Sequence, residues 1–345
     1  MEKKVGKKPV CIGAGLIALD IVMNGSPTSP IKLFAGGSCG NVLTILAYLG
    51  WNTYPVARLK KNKATQELLY DFKNWSVNTN LISQTNSGST PLIIHRITKN
   101  NQGNPIHKFE FKNPKTGGWL PSYKPVLLKD VNSILEKQLI PNVFYFDRQT
   151  PSSLELAKKF KSQGSIIFFE PSSITNSILF QKCLNIADIV KFSHDRIKNY
   201  SELYKQQQVS LEIETMGIEG SRYRFGHDLK NRKWTHLAPF KIGFVVDAAG
   251  AGDWCSAGII SKIGIKGKEG FNTIRENDII DAINYGQALG ALNCYFDGAR
   301  GSMYNLSKID LNSIVVSLMK RSSNLIINTS PVTPIRKAID INNLY

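Results

Sequence analysis

Short runs of apolar residues alternate with longer helical patterns along most of the chain, and this alternation constrains the fold more than any other feature. The runs at 142–147, 165–171 and 188–193 have the length of buried strands. The segments 41–51 and 64–77 have the apolar spacing of helices. Strands that alternate with helices form a parallel sheet that is covered on both faces. The sequence therefore predicts an α/β fold, a three-layer α/β/α sandwich with a mostly parallel central sheet.

One region departs from this alternation. Residues 90–112 have the pattern of two strands joined by a polar turn that contains glycine, with no helix between them. Together with residues near 22–35, they are expected to form a small β-lid outside the main sheet. We place the sheet and the lid in one domain, residues 1–320. Residues 321–345, where two prolines interrupt any long helix, are expected to be a C-terminal extension.

Composition argues against several other classes of protein. No stretch approaches 18 uninterrupted apolar residues, so no membrane span is predicted. The five cysteines are odd in number and far apart, and none forms a CxxC pair. This spacing favours neither a disulfide framework nor a cysteine zinc site. Such cysteines suit a reducing compartment, and we therefore expect a cytoplasmic protein.

The chain is strongly basic, with a net charge of +17 from 43 basic and 26 acidic residues. Its lysines fall in short, scattered groups, which is the usual pattern of a solvated surface. A nucleic-acid interface needs basic residues gathered on one face together with stacking aromatic residues. Nucleic acid is therefore not the expected partner, and a nucleic-acid-binding protein is only a third alternative. An anionic substrate would also be attracted by this charge.

The stretch "DAAGAGD", residues 247–253, joins a strand-like run to a helical pattern. Its small residues let the backbone approach a ligand closely, and Gly250 and Gly252 accept φ values that other residues avoid. A helix that begins near Asp253 would present free N–H groups and the positive end of its dipole to an anion. An anion hole beside a carboxylate base suits phosphoryl transfer to a hydroxyl group. Taken alone, the stretch fits a turn capped by Asp253 equally well.

Two other glycine-rich stretches precede helical patterns. The stretch "IGAGLIA", residues 12–18, matches the GxGxxA of dinucleotide-binding proteins, but no acid follows about 20 residues later. We therefore expect no nicotinamide cofactor. In "AGGSCGN", residues 35–41, Gly36 and Gly37 permit close approach of the backbone to a ligand. Asn41 carries an amide that can both donate to and accept from a sugar hydroxyl. Alone, this pattern is also that of an ordinary turn.

The combination of these motifs is more specific than its parts. Gly15 followed by Asp20, then "GGSCGN", then "DAAGAGD" further along, resembles the ribokinase-like (PfkB) family of carbohydrate kinases. The resemblance runs from about residue 9 to residue 320. It implies ATP-dependent phosphorylation of a hydroxyl on a sugar or sugar-like molecule, under a lid that closes over the sugar. A nucleoside kinase and a non-catalytic nucleotide or sugar sensor on the same fold are the alternatives, and a homodimer is left open.

The resemblance also assigns roles at the catalytic and substrate ends of the site. Asp253 matches the catalytic base, which would accept the proton of the hydroxyl group. The backbone that matches the anion hole belongs to Gly250, Ala251 and Gly252. The positions that match substrate-holding residues are Asp20, Gly36, Gly37 and Asn41.

Four further side chains on the predicted strands are secondary candidates. Asp147 and Arg148 follow a strand, where the ligands of open α/β sheets collect. Arg148 is therefore a candidate for substrate binding, and a structural ion pair between the two residues is the alternative. His95 and His107 lie on the two lid strands, where a lone histidine is more often part of the surface.

ATP is the phosphoryl donor that the resemblance implies. The stretch "ETMGIEGSRYRF" resembles the strand and loop near the nucleotide phosphates, and "GQALGALNCYFDGARG" resembles the helix and turn beside the adenine. The candidate ATP-binding residues in these stretches are Thr215, Gly217, Gly220, Gln287, Gly298 and Ala299. Asp247 falls where some members of the family bind a monovalent cation, so a K⁺ site is a further expectation.

The expected metal motif is altered in this chain. The family usually has Asn-x-x-Glu after the strand "DIVKF", and that motif helps organise the Mg²⁺ ion. Here the four positions are Ser193, His194, Asp195 and Arg196. Mg²⁺ is still expected to accompany ATP, with Asp195 or Glu170 in place of the missing carboxylate. Alternatively, Arg196 contacts phosphate as a fixed cation.

Overall fold

The structure, a computed structural model, contains two β-sheets and the helices that pack on them. It describes residues 7–24, 31–99, 105–198, 200, 209–226, 232–321, 327, 336–338 and 341–345. The strands are β1 (Val10–Ala14), β2 (Ala18–Asn24), β3 (Ile31–Gly36), β4 (Asn52–Lys60), β5 (Ile82–Thr85), β6 (Leu92–Lys99), β7 (Pro105–Glu110), β8 (Val143–Phe146), β9 (Ile166–Phe169), β10 (Ile189–Ser193), β11 (Leu211–Thr215), β12 (Ser221–Phe225), β13 (Thr235–Leu237) and β14 (Arg336–Ala338). The helices are α1 (Ser38–Tyr48), α2 (Lys63–Asn74), α3 (Val131–Leu135), α4 (Pro151–Ser162), α5 (Ser177–Ile186), α6 (Ala251–Ile263), α7 (Gly267–Asn272), α8 (Glu276–Asn293), α9 (Gly301–Asn305) and α10 (Lys308–Met319). Within the described ranges, no helix combines the length and the apolar character that crossing a membrane requires.

The larger sheet has nine strands in the order β13-β12-β11-β10-β9-β8-β1-β4-β5. Every neighbouring pair from β11 to β5 is parallel. At the other edge, β12 and β13 are antiparallel additions. The three runs predicted as buried strands are β8, β9 and β10, near the centre of this sheet. The predicted α/β fold with a mostly parallel central sheet is confirmed.

The central strands bury side chains on both faces of the larger sheet. Along β8, Tyr145 faces a core that α1, α6 and α8 complete. Phe144 and Phe146 face a second core, built with α4 and α5. There Phe146 stacks on Phe169 of β9, with ring centroids 4.6 Å apart. Burial of each such ring stabilises the fold by roughly 1.5–3 kcal/mol, and the two cores confirm the three-layer sandwich.

The smaller sheet has five strands in the order β14-β3-β2-β6-β7. The two strands predicted within 90–112 are β6 and β7, which pair antiparallel. β2 pairs in parallel with β6 and antiparallel with β3. The chain enters this sheet directly from β1, so Asp20 on β2 lies close in sequence to the end of a central strand. The predicted small sheet is confirmed, while the division of the chain at residue 320 stays a prediction.

Helices α6 and α8 lie close to one another because glycines form their interface. A Cβ on Gly258 would come within 2.6 Å of the Gly286 Cα atom. One turn away, a Cβ on Gly290 would come within 2.6 Å of the Ala251 carbonyl oxygen. Real Cβ atoms do not approach other atoms this closely, so a larger residue at either position would separate the helices. This packing fixes the N-terminus of α6, where the candidate site lies.

The described part of the C-terminal segment, residues 336–338 and 341–345, packs on the rest of the structure. β14 extends the smaller sheet by pairing antiparallel with β3. Beyond it, Ile341 and Leu344 are buried in the main core, and the Ala64 N–H at the start of α2 donates to the Leu344 carbonyl oxygen at 2.9 Å. Asn113 Nδ2 reaches the same segment, donating to Asn342 Oδ1 at 2.7 Å. The segment predicted as an extension therefore contributes to the core.

The burial of Leu344 leads to a stability prediction. Leu344→Ala removes a side chain that is 2% exposed, and it should lower the free energy of unfolding by about 2–5 kcal/mol. Asn343→Ala, at an exposed neighbour, serves as the control and should change it by less than about 0.5 kcal/mol. Urea denaturation of both variants measures the difference. Equal stabilities would mean that the segment does not pack on the core.

Candidate active site

The loop before α6 has the conformation that an anion site requires. Gly250 is the N-cap of α6, with φ 75° and ψ −4°, a left-handed conformation that favours glycine. A Cβ at this position would also collide with the backbone of Ala299. The helix begins at Ala251, two residues before the expected start at Asp253. Asp253 consequently lies in the first turn of α6, at the positive end of the helix dipole.

Free backbone donors surround this turn. The Trp254 N–H donates to Gly250 O at 2.9 Å, and the Ala251 N–H makes a longer contact with Ala248 O at 3.3 Å. Among the described residues, the N–H groups of Gly252 and Asp253 have no intramolecular acceptor. Unpaired N–H groups of a first helical turn are where anions bind. The loop thus has the free donors that the predicted anion site needs, those of Gly252 and Asp253, and the site itself stays a prediction.

The two glycine-rich motifs meet through their polar side chains. Asn41 on α1 is buried, and its Nδ2 donates to Asp253 Oδ2 at 2.8 Å. The two residues are 212 positions apart in the chain. Packing of α1 against α6 brings them together at the carboxyl ends of the parallel strands. This is the position at which open α/β sheets bind ligands.

The environment of Asp253 moves its pKa towards neutrality. Desolvation by the surrounding protein is the largest effect, and with the nearby Glu170 carboxylate it raises the pKa of Asp253 to about 7. The Asn41 hydrogen bond and the cations Arg196 and Lys191 act in the opposite direction, favouring the ionised form. A carboxylate with a pKa near the ambient pH suits proton transfer.

A buried polar network lies beneath the loop. Lys191 on β10 donates from Nζ to Glu170 Oε1, and to the Gly252 carbonyl oxygen at 3.2 Å. Ser256 Oγ donates to Glu170 Oε2, and Tyr145 OH reaches the same oxygen at 3.0 Å. Burial alone would lower the pKa of Lys191, but the Glu170 carboxylate outweighs that effect and raises it. Lys191 is therefore positively charged, and it connects Glu170, which follows β9, to Gly252 in the first turn of α6. Sequence reasoning missed it, although a lone lysine in an apolar strand was the available signal.

The positions of the altered metal motif lie at the surface. His194, Asp195 and Arg196 are exposed, and His194 Nδ1 lies 2.7 Å from Glu214 Oε1. Glu170 already accepts from three donors. No group of three or more His, Cys, Asp and Glu side chains that could hold a metal ion occurs in the part of the chain that the structure describes. Mg²⁺ is commonly held by substrate phosphates and one or two carboxylates, and of the two expected carboxylates only Asp195 is exposed, while both oxygens of Glu170 are engaged.

A pocket next to Asp253 gathers polar groups that lack partners. Asp20, Asn41, His95 and Arg300 line it together, with residues 297–299 at one side. Within the described ranges, Asp20 Oδ1, Asn41 Oδ1 and Arg300 Nη1 are buried without a hydrogen-bond partner. Buried polar atoms are nearly always paired in folded proteins. Two acceptors and one donor face this small pocket, and such atoms can form hydrogen bonds with hydroxyl groups.

Asp20 is held in this pocket by its neighbours. Burial raises the pKa of Asp20, while His95 and Arg300 lower it. His95 Nε2 lies 3.7 Å from Asp20 Oδ2. A Cβ on Gly36 would overlap the Asp20 carboxylate, and Gly37 has φ 75°, so these two glycines make room for the carboxylate and the turn. Asp20, Gly36, Gly37 and Asn41 thus lie together as the motif predicted.

Arg300 is a pocket residue that sequence reasoning did not identify. Its guanidinium is 1% exposed, and Nη2 donates to Asp71 Oδ2 at 2.6 Å and to the Ala35 carbonyl oxygen. Tyr304 OH donates to the other oxygen of Asp71 at 2.8 Å. Asp71 therefore neutralises Arg300 and fixes its plane, leaving Nη1 towards the pocket. A lone arginine after "DGA" gave no pattern from which this could be expected.

The secondary candidates have different surroundings. Asp147 Oδ2 lies 3.2 Å from Arg148 Nη1, and Asp147 Oδ1 accepts from the Leu16 N–H at 2.9 Å. The alternative of a structural ion pair is therefore realised, and substrate binding by Arg148 stays a prediction. The side chain of His107 lies outside the described residues.

The predicted ATP-binding residues occupy two places. Thr215 ends β11 opposite Ser193, and Gly217 and Gly220 flank the following turn with φ of 57° and 91°. Gln287 lies on α8, and its Nε2 is buried without a hydrogen-bond partner in the described chain. We call residues 247–250, the loop that precedes α6, the anion loop. Gly298 and Ala299 contact it directly, through Asp247 and Gly250 respectively. Their contacts with ATP stay predictions.

The raised pKa of Asp253 gives a prediction about stability. An unfolded aspartate releases its proton near pH 3.9, whereas folded Asp253 does so at about 7. Between these values the folded state binds more protons, so ionisation of Asp253 costs stability as the pH rises. Asp253→Asn keeps the shape without this cost. We expect it to be more stable than the native chain at about pH 8, by about 1.4 kcal/mol per unit of pKa difference.

Urea denaturation across the pH range measures this difference, which should shrink as the pH falls towards about 4. Asp281→Asn, at an exposed position of α8, is the matched control and should show no such trend. A difference between Asp253→Asn and the native chain that is constant with pH would contradict the raised pKa.

No protein-family model matches this sequence, and no curated protein matches it. Solved structures do match. A fructokinase from Xylella fastidiosa with bound ATP is 17% identical, covers 92% of this chain and 99% of its own, and has a TM-score of 0.66. A fructokinase double mutant from Vibrio cholerae O395, bound to fructose, ADP and potassium, is 14% identical, with coverages of 89% and 99% and a TM-score of 0.66.

A nucleoside kinase from Methanocaldococcus jannaschii, described as an archaeal member of the ribokinase family, is similar over the same length. It is 17% identical, covers 92% of this chain and 100% of its own, and has a TM-score of 0.60. Likeness at this level of identity concerns the fold. The resemblance in the motifs is confirmed to that extent: the chain has the fold of the ribokinase family.

Proposed function

We propose that the chain is a kinase that transfers the γ-phosphoryl group of ATP to a hydroxyl group of a sugar or sugar-like molecule. The contact between Asn41 and Asp253 carries this proposal. It joins a pocket with unpaired polar atoms to a carboxylate whose pKa is near neutral, at a helix N-terminus with free N–H groups. The solved structures of similar fold include kinases with bound ATP and with bound fructose, which supports both substrates.

In this reaction Asp253 accepts the proton of the attacking hydroxyl group. The Asn41 amide favours the ionised form of the carboxylate and orients Oδ2, leaving the other oxygen for the substrate. The N–H groups of Gly252 and Asp253 donate to the transferring phosphoryl group, where negative charge is held during transfer. Lys191 supports the Gly252 carbonyl from below and adds positive charge near the same point.

The altered motif, residues 193–196, affects how Mg²⁺ and the phosphates of ATP would be held. When bound with ATP, Mg²⁺ would neutralise phosphate charge, and the exposed Asp195 is the carboxylate that would hold it, since both oxygens of Glu170 already accept from protein donors. Arg196 is exposed, and its charge lowers the pKa of Asp253, which supports a contact of Arg196 with the phosphates of ATP. A fixed guanidinium provides part of the electrostatic effect of a metal ion.

The acceptor is the sugar part of either a free sugar or a nucleoside. The polar atoms of Asp20, Asn41 and Arg300 match hydroxyl groups, which both classes carry. A fructokinase and a nucleoside kinase share this fold at similar TM-scores, so nucleosides remain the second candidate class. A non-catalytic sensor is the other alternative, since Ser193 and Arg196 replace the usual metal motif.

The first prediction of this proposal concerns Asp253. Asp253→Asn should lower the rate of ATP turnover by about 10²–10⁴-fold, because it removes the base without changing the shape of the site. ATP binding should persist, since the N–H groups of the loop are unchanged. Turnover of ATP is measured in purified protein with a panel of sugars and nucleosides, and ATP affinity by calorimetry.

The control is Asp281→Asn, which changes an exposed aspartate in the same manner and should keep native turnover. An unchanged rate in Asp253→Asn would contradict the assignment of the base. Binding of ATP without turnover of any acceptor by the native chain would favour the sensor.

The second prediction concerns Asp20. Asp20→Ala removes an acceptor from the pocket and should weaken binding of the best acceptor of the panel by about 5–150-fold, which corresponds to 1–3 kcal/mol. The variant also loses the contact of Asp20 Oδ2 with His95, so its fold is verified by urea denaturation before binding is measured. ATP affinity, measured by calorimetry, should not change. A parallel loss of ATP affinity would count against a role on the acceptor side.

A further inference from the structure

Three backbone carbonyl groups converge on one side-chain amide at the base of the anion loop. Asn293, the last residue of α8, is fully buried. Its Nδ2 lies 3.1 Å from the Ala249 carbonyl oxygen and 3.2 Å from those of Gly298 and Ala299. The amide therefore joins the loop that precedes α6 to the turn that follows α8.

A carboxylate completes this cluster of oxygens. Asp247 is fully buried, and its two oxygens accept from the N–H groups of Ala249 and Gly298, at 2.7 and 2.8 Å. These are two of the three residues whose carbonyl groups face Asn293. Several carbonyl oxygens with a carboxylate beside them form the kind of donor set that binds a hard cation. The resemblance to the ribokinase-like family had placed a K⁺ site at Asp247.

The geometry shows which end of the Asn293 amide faces the carbonyl groups. Asn293 Oδ1 accepts from the Ser302 N–H and from Ser302 Oγ, both at 3.1 Å. With the amide reversed, its oxygen would face three carbonyl oxygens and its NH₂ would face a backbone donor, so the hydrogen bonds fix the orientation. Two amide protons serve three carbonyl groups, which explains why the distances exceed the usual 2.9–3.0 Å.

We propose that the Asn293 amide takes the place of a monovalent cation, so that the anion loop is formed without K⁺. The carbonyl oxygens that a cation would need are already engaged by the amide. The loop and the turn are also in direct backbone contact beside the amide, since a Cβ on Gly250 would collide with Ala299. The amide also belongs to the chain, so its effect does not depend on any ion concentration. The residues here do not fit a cation site, although Asp247 alone suggested one.

The first test uses the native chain. Its midpoint temperature of unfolding, Tm, is compared in potassium chloride and in choline chloride at equal ionic strength, since choline is too large for such a site. We expect the two Tm series to coincide over the full range of salt concentrations. A saturable rise in Tm that is specific to potassium would overturn the proposal.

The second test removes the amide. In Asn293→Ala the three carbonyl groups lose their donor and space opens between them. We expect a lower Tm in choline chloride and a partial recovery that is specific to potassium. ATP affinity should weaken on the order of tenfold in choline and recover in potassium, because the loop loses its support. A loss of stability that is equal in both salts would overturn the proposal, since Asn293 would then be an ordinary buried hydrogen-bonding residue.

The matched control is Asn305→Ala. Asn305 also donates from its amide to a backbone carbonyl group, that of Gly301 at 2.8 Å, in the neighbouring helix α9. Asn305→Ala should lose some stability equally in both salts. A recovery of this variant that is specific to potassium would contradict the role assigned to the Asn293 amide. Should Asn293→Ala fail to fold, the salt comparison on the native chain decides by itself. Because Tm is measured without ATP, a failure of ATP to bind would contradict the proposed kinase and leave this inference intact.

Discussion

The close approach of α6 to α8 is the constraint on which the site depends. At Gly258, Gly286 and Gly290 the absence of side chains lets the two backbones meet, and this sets where α6 begins. The same approach places Gly250 against Ala299, so the anion loop is formed by contacts between backbones. Backbone contacts have no rotamers to lose, and the loop is therefore organised before any ligand arrives.

Two buried pairs of opposite charge lie near Asp253 and Asp20. Lys191 and Glu170 neutralise one another in a buried pair, and Arg300 and Asp71 do the same under the substrate pocket. Asp253 has an amide and more distant cations as partners, so its desolvation is incompletely compensated and its pKa is raised. Paired charges act as scaffold in this molecule, whereas Asp253, like Asp20 and Asp147, has a pKa raised by burial, which supports its proposed role in proton transfer.

The sequence predicted those features that depend on local patterns. The apolar runs of β8, β9 and β10 predicted a buried sheet, and the glycine motifs predicted that Asn41 and Asp253 would lie together. Lys191 and Arg300 could not be predicted in the same way. Each is a lone cation whose role depends on a carboxylate from a distant element. The spacing of residues along the sequence does not indicate such a pairing. β14 was missed because a strand of three residues has no clear sequence pattern and forms only by pairing with β3.

The position of β14 has a consequence for how the smaller sheet meets solvent. An edge strand presents a row of unpaired N–H and C=O groups that can pair with another chain. β14 covers the outer edge of β3, the strand that leads to Gly36 and Gly37. The turn at Gly36 and Gly37 is thus attached to a strand that becomes an inner strand only when residues 336–338 join it. In partly folded chains that lack this pairing, β3 is an open edge, and self-association through it would compete with formation of the pocket around Asp20 and Asn41.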